Sequence, residues 1–248
     1  MKYYASVSFG KDSLAMLFML IEKQYPLDEV VFYDTGMEFQ AIYETRNRVL
    51  PILASHHIKY TELYPEKPFL WNMFERPVKK RGTDTVHKLG YSWCGGTCRW
   101  GTSQKLKSLK VYTKNGFDYV GIAADETHRF EKEKRPNRIL PLVEWNITEA
   151  QALQYCYDRG FTWEENGFPL YSLLDRVSCY CCGNKNLKEL KNIYLHLPEY
   201  WNKLRELQEK TDRPYRRKSL ETIFDLEKRF NASLIQESSH NKQLALFW

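Results

Sequence analysis

Ser8, Gly10, Lys11, Asp12 and Ser13 fall within six residues, SFGKDS, directly after a β-rich run and directly before an apolar helical one. Hydroxyls, backbone N–H groups and one lysine at such a junction can surround a phosphate. The first N–H groups of a helix lack internal partners, and its dipole favours an anion there. Lys11 adds a point charge. Asp12 would repel a bare phosphate, so it fits either an accompanying Mg²⁺ or the first helical turn. The stretch is not a Walker A loop, since Ala5 stands five residues before Gly10 and Asp12 follows Lys11. It is not a dinucleotide fingerprint either, since Phe9 and Ser13 occupy positions that would need glycine.

Two further acidic groups lie at the ends of apolar runs: Asp34 with Thr35 and Gly36, and Asp125 with Glu126. Arg129, Arg135 and Arg138 follow the second group and could meet sulfate, phosphate or a nucleic-acid backbone, or form an exposed face of mixed charge. Cys94-x-x-x-Cys98 and Cys179-x-x-Cys182 supply two close thiol pairs, with Cys181 able to replace Cys182. Four thiolates together suit tetrahedral Zn²⁺ or an iron–sulfur cluster; buried or redox-active thiols are the alternative. Cys156 falls on the apolar side of a helical stretch and reads as core.

The elements that must position these residues alternate. Tyr3 to Phe9, Glu29 to Tyr33, Ile58 to Leu63 and Phe117 to Ala123 read as strands, with a fifth at Ile139 to Trp145. Ser13 to Lys23 has helical spacing, and so does Glu38 to about His57, where Pro51 is a candidate break. This pattern predicts an α/β fold: a mostly parallel, Rossmann-like sheet with helices on both faces. Ligands of such sheets bind beyond the carboxyl ends of the strands, so the loops at Ser8, Asp34 and Asp125 are expected to share one cleft.

Pro65 to Thr102 is poor in strand signal and reads as a lid or insertion. Beyond Thr148 the chain is helical, over 148–159, 184–194, 198–211 and 219–231. A tail is expected after Ser233, with Leu244, Leu246, Phe247 and Trp248 apolar enough to dock. The domain organisation that follows is 1–183, carrying the insertion near 65–102, and a helical extension at 184–248.

Hydrophobic residues make up 43% and charged residues 27% of the 248, and no apolar stretch reaches the ~20 residues of a membrane helix. Met1 and Lys2 run straight into the first strand, without a signal-type segment, so the expected location is cytoplasmic, with no membrane partner. Thirty-seven Lys and Arg against thirty-one Asp and Glu give a net charge of +6, which suits a phosphorylated ligand or a nucleic acid. The basic residues cluster at Lys79, Lys80 and Arg81, from Arg129 to Arg138, and at Arg213, Arg216, Arg217 and Lys218.

SFGKDS followed by an apolar helix resembles the S-G-G-K-D-S pyrophosphate loop of the adenine nucleotide α-hydrolase superfamily, the N-type ATP pyrophosphatases. Within it, the closest resemblance is to the phosphoadenosine phosphosulfate (PAPS) reductase family, with Phe9 standing where the loop has glycine. The resemblance continues in order through FYDTG, YSWCGGTCRWGTSQKLK, VGIAADETHRFEKEKRP, RILPLVEWNITEAQALQYCYDRG and GFPLYSLLDRVSCYCCGNK, most of the chain. It implies that Ser8, Gly10, Lys11, Asp12 and Ser13 hold pyrophosphate and Mg²⁺. Asp34, Thr35, Gly36 and Gly121 would then flank the adenosine, and Asp125, Glu126 and Arg129 would line the reacting side. Cys94, Cys98, Cys179 and Cys182 resemble the ligands of a [4Fe–4S] cluster, with Zn²⁺ the other candidate.

The family's reductases attack sulfate with a cysteine of a C-terminal E-C-G-x-H segment, whereas this sequence ends NKQLALFW, with no cysteine after Cys182. The resemblance therefore implies cleavage of ATP to AMP and pyrophosphate, activating a nucleobase or nucleic acid for sulfur transfer. One alternative is reduction of PAPS or adenosine phosphosulfate (APS) by Cys181, Cys182 or an external cysteine. Another is a nucleotide-sensing or nucleic-acid-binding accessory protein in a larger assembly, docking through basic helices after Lys185. The implied partners are a nucleotide, a nucleic acid or a sulfur-donor protein, and a second copy in a homodimer.

Overall fold

The computed structural model describes residues 1–98, 101–131 and 135–245. In chain order the first elements are β1 (Lys2–Ser6), α1 (Lys11–Glu22), β2 (Glu29–Tyr33), α2 (Gln40–Ser55), β3 (Lys59–Leu63), β4 (Pro77–Lys79) and β5 (Val86–Leu89). Then follow α3 (Thr102–Tyr112), β6 (Gly116–Val120), α4 (Thr127–Phe130), β7 (Arg138–Ile139), α5 (Pro141–Glu144) and α6 (Glu149–Tyr157). The last are β8 (Glu164–Glu165), β9 (Phe168–Pro169), α7 (Leu170–Leu173), α8 (Leu187–His196), α9 (Pro198–Glu209) and α10 (Ile223–Ala245). The chain divides into two compact units. One comprises Met1–Phe69, Arg99–Ser172 and Arg176–Tyr180; the other comprises Leu70–Cys98, Leu173–Asp175 and Cys181–Trp248.

The first unit is built on a five-stranded sheet ordered β3-β2-β1-β6-β7, and every pair in it is parallel. All five residues of β2, EVVFY, are buried, as a strand covered on both faces requires. Glu29 survives there at 1% exposure because Lys59, Thr61 and Tyr112 all hydrogen-bond its Oε1. Strand order runs outward from β1 through β2 to β3, then returns to the other side of β1 with β6. The switch point therefore lies between β1 and β6, where the loops at Ser8 and Asp125 begin. Helix α1 is apolar nearly all round, with Leu14 to Leu20 buried, and packs along α6.

Several sequence expectations change. Helix α2 passes through Pro51 unbroken, because Ala41, Ile42, Thr45, Val49 and Leu53 bury one face while Pro51 is exposed on the other. Of the fifth strand expected over Ile139 to Trp145, only Ile139 is strand, and it pairs with β6 together with Arg138 before it; Pro141 then opens α5, its fixed φ and missing N–H suiting a first helical position. β1 ends at Ser6 and β6 ends at Val120, both short of the expected bounds.

In the second unit, the insertion contains a hairpin the sequence did not signal: β4 and β5 pair antiparallel with an irregularity at Val78 and Lys79, and Gly82 turns the connection at φ +76°. Asn186 and Glu189 form a capping box that starts α8. Tyr194, Trp201 and Phe230 join α8, α9 and α10 through ring contacts. The expected tail after Ser233 is instead helix to Ala245: Thr222 and Asp225 cap its start reciprocally, and neither Gly nor Pro interrupts it. Leu246, Phe247 and Trp248 lie outside the described residues. Among the described residues, no helix is long and apolar enough to cross a membrane.

Candidate active site

The turn from β1 into α1 is held by its own side chains. Ser13 Oγ accepts from the Ser8 N–H at 3.1 Å, contacts Ser8 Oγ at 3.1 Å and donates to the Gly10 carbonyl. Phe9 takes φ +57°, the left-handed region, while its ring is fully buried against Phe32 and Tyr60. The glycine position of the resembled loop thus keeps a glycine-like backbone, and ring burial of about 1.5–3 kcal/mol offsets a backbone cost of about 1–2 kcal/mol. Trp163 Nε1 donates to the Phe9 carbonyl at 2.7 Å and fixes the turn.

Two other residues shape this turn. Tyr171 Oη accepts from the Lys11 N–H at 2.8 Å, so a protein oxygen already stands at the start of α1, where an anion's oxygen would be bound. Burial pushes the Tyr171 phenol well up, keeping it protonated. A Cβ on Gly121 would lie 2.8 Å from the backbone N of Ser13 and 2.9 Å from the carbonyl carbon of Asp12. The segment after β6 can therefore run against the first turn of α1 only with glycine there.

Charges converge beside the loop. The Lys11 ammonium, with its side chain 9% exposed, contacts Asp12 Oδ1 at 2.8 Å and Glu149 Oε1 at 2.9 Å. Glu126 pairs through both oxygens with Arg129, one turn on in α4. Asp125 Oδ1 accepts the Glu149 backbone N–H at 3.0 Å and so ties the loop after β6 to the start of α6. Burial raises the Asp12 carboxyl above its ordinary value; Lys11 opposes the rise, and Glu149 and Glu126 add to it. Among the described residues, Asp12, Glu126 and Glu149 form the one group of metal-capable side chains whose ligand atoms lie within 4.8 Å of one another. Three hard oxygen donors fit Mg²⁺ by their chemistry.

Parallel pairing puts the Asp34 loop at the same end of the sheet. Asp34 Oδ1 accepts from the Gly36 N–H at 2.7 Å and from Tyr43 Oη at 2.8 Å. Gly36 is at φ +74° with open space around its Cβ direction, so backbone conformation and not room calls for glycine. Thr35 Oγ1 meets Glu38 at 3.1 Å and Cys179 Sγ at 3.5 Å.

Of the cysteines, Cys156 and Cys179 belong to the first unit, and Cys94, Cys98, Cys181 and Cys182 to the second. Within the second, Asn184 exchanges two hydrogen bonds of 2.7 Å with the Gly96 backbone, and Gly183 lies where a Cβ would meet the Cys94 carbonyl at 2.6 Å. These contacts fasten the Cys94 segment to the one that follows Cys182. Cys181 is 4% exposed and Cys182 more open. Cys156 is core, as expected; burial and then Asp12 push its thiol up to about 12, and its Sγ lies 3.4 Å from the Lys11 carbonyl oxygen.

The sequence reading missed Glu149, Tyr171 and Trp163. Glu149 carries one signal, its place directly after Thr148, whose capping box with Gln151 opens α6; that marks a helix start but no partner for Lys11.

The phosphoadenosine phosphosulfate reductase domain model matches residues 2–162, which includes the loop, the acidic group and α6. An uncharacterized protein of Methanocaldococcus jannaschii is 28% identical over a 229-residue alignment covering 82% of this chain and 41% of that protein. The chain thus spans about two fifths of that relative's length. With the matched segment covering well over half of its residues, and with the parallel sheet and strand-to-helix loop in place, this chain belongs to the PAPS reductase family of the adenine nucleotide α-hydrolase superfamily.

Proposed function

We propose that the protein cleaves ATP between the α- and β-phosphates, releasing pyrophosphate and transferring AMP to an acceptor oxygen of a nucleobase or nucleic acid; a thiol- or sulfide-level sulfur nucleophile then bonds to the activated atom as AMP leaves with that oxygen. The observation that carries this reading is the approach of Asp12, Glu126 and Glu149 around Lys11 at the pyrophosphate-type loop. Thiol attack on a sulfonucleotide makes no pyrophosphate and has no use for three hard oxygen ligands. Departure of pyrophosphate from ATP builds negative charge that a divalent cation and a lysine offset.

In this mechanism Tyr171 keeps the Lys11 N–H, the Asp12 and Ser13 N–H groups and the hydroxyls of Ser8 and Ser13 hold the β- and γ-phosphates, and Lys11 turns its ammonium onto the leaving pyrophosphate. Asp12, Glu126 and Glu149 would hold Mg²⁺, which when bound neutralises phosphate charge. Arg129 orients Glu126, and Asp125 orients the start of α6. Asp34, Thr35, Gly36 and Gly121 stay the proposed adenosine side. The acceptor oxygen attacks the α-phosphorus as the bond to the bridging oxygen breaks, so that oxygen leaves with pyrophosphate.

The second reading is sulfonucleotide reduction by Cys181, Cys182 or an external cysteine; the structure adds Cys179 as a further candidate thiol, beside Thr35 and Glu38 in the loop after β2. Anaerobic incubation with ATP and Mg²⁺, and separately with PAPS, separates the two. AMP and pyrophosphate support the first; adenosine bisphosphate and sulfite replace it with the second.

A further inference from the structure

Glu149 is not part of the pyrophosphate loop, yet its Oε1 takes one side of the Lys11 ammonium at 2.9 Å while Asp12 takes the other at 2.8 Å. The lysine that should meet phosphate is therefore already neutralised twice. Glu126, paired with Arg129, brings a third carboxylate within 4.8 Å of those of Asp12 and Glu149, and Asp125 accepts the Glu149 N–H, so carboxylates outnumber the cations here. A polyphosphate arriving alone would have to draw Lys11 away and leave two carboxylates unpaired beside an anion. A divalent cation reverses the balance: it takes the carboxylates over and frees the ammonium for phosphate. The Glu149 side chain is 45% exposed, so a hydrated cation reaches it from solvent, whereas the Lys11 side chain is 9% exposed.

We propose that Glu149 is a positioning residue that couples nucleotide binding to divalent-cation binding, holding Lys11 until the cation takes its carboxylate. This inference rests on the reading of the loop as a nucleotide site. Such coupling is reciprocal: the cation tightens the nucleotide by the factor by which the nucleotide tightens the cation.

The side chain of Glu149 can be changed without undoing its surroundings. Its backbone N–H is held by Asp125, and the helix start is capped by Thr148 and Gln151. Glu149→Gln keeps the shape and removes the charge; Glu149→Ala removes the side chain and is the second variant should the first fold poorly.

The test is calorimetric binding of α,β-methylene-ATP, which cannot be cleaved at the reacting bond, with and without millimolar Mg²⁺. The wild type should bind at least tenfold more tightly with Mg²⁺. In Glu149→Gln and Glu149→Ala, cation-free binding should strengthen and the ratio of the two affinities should shrink severalfold. A ratio unchanged from wild type overturns the coupling and leaves the nucleotide site standing. No binding by the wild type under either condition overturns the nucleotide reading and this inference with it.

Discussion

The indole N–H of Trp163 donates to the carbonyl oxygen of Phe9 at 2.7 Å and pins a phenylalanine that occupies the left-handed backbone region at φ +57°. This contact joins the loop before α1 to a residue far along the chain. It explains how a loop of glycine-like geometry persists with a large side chain in it.

Phe9→Ala keeps the backbone cost and loses the ring, so it should destabilise the protein by about 3–5 kcal/mol. Phe9→Gly loses the same ring but relieves the backbone and should be the more stable variant by about 1 kcal/mol, the reverse of the order inside helices. Chemical denaturation of both variants checks the order.

Lys11→Ala and Asp12→Asn should each lower the rate of pyrophosphate release from ATP by roughly a hundredfold or more while leaving the fold intact. Near wild-type rates in both, with unchanged circular dichroism, would remove these residues from the chemistry.

Asp118, on β6, is fully buried, and burial raises its carboxyl from 3.8 to about 6 against the Ser6 and Thr113 hydroxyls and the charge of Arg135. Arg138 Nε is 3.9 Å away, beyond hydrogen-bonding distance, and does not reverse the effect. The native state keeps this proton where the unfolded chain has lost it. Its contribution to stability is therefore complete below pH 3.8 and falls as pH rises through about 6, by roughly 3 kcal/mol in all. Asp118→Asn should flatten the stability profile across that window in urea unfolding at a series of pH values.

If the protein carries the [4Fe–4S] cluster or zinc that the resemblance implies, anaerobically purified protein will contain about four irons or about one zinc per chain. Cys94→Ser and Cys182→Ser should each lower that content sharply. Wild-type protein without either metal would leave these thiols to redox or packing roles.

Lys79, Lys80 and Arg81 lie exposed at the β4 end of the hairpin. With a nucleic acid as acceptor, replacing all three by Ala should reduce the slope of log affinity against log salt by up to about 3. An unchanged slope would remove the hairpin from that interface.

Local chemistry was legible where it was contiguous. β2 was readable as EVVFY because a strand buried on both faces is a continuous apolar run. Helices were legible from Thr148 and from 184; the capping boxes of Thr148 with Gln151 and of Asn186 with Glu189 fix where they start in the structure. The break at Pro51, the strand over Ile139 to Trp145 and the tail after Ser233 misled because burial of one helix face, a proline at a helix start and a reciprocal cap outweighed the local signal.

The sequence by itself determined the alternation of strands and helices, hence a parallel sheet, and placed the residues of the SFGKDS loop at its carboxyl edge. Only the tertiary structure decided which residues meet there. Glu149 reaches Lys11 across 138 positions, Tyr171 reaches its N–H across 160, and Gly121 is forced by the first turn of α1. Such contacts have no period or spacing in the chain. They exist because parallel strands and the helix that covers them bring the ends of distant segments to one edge of the sheet, where only packing sets the distances between charges.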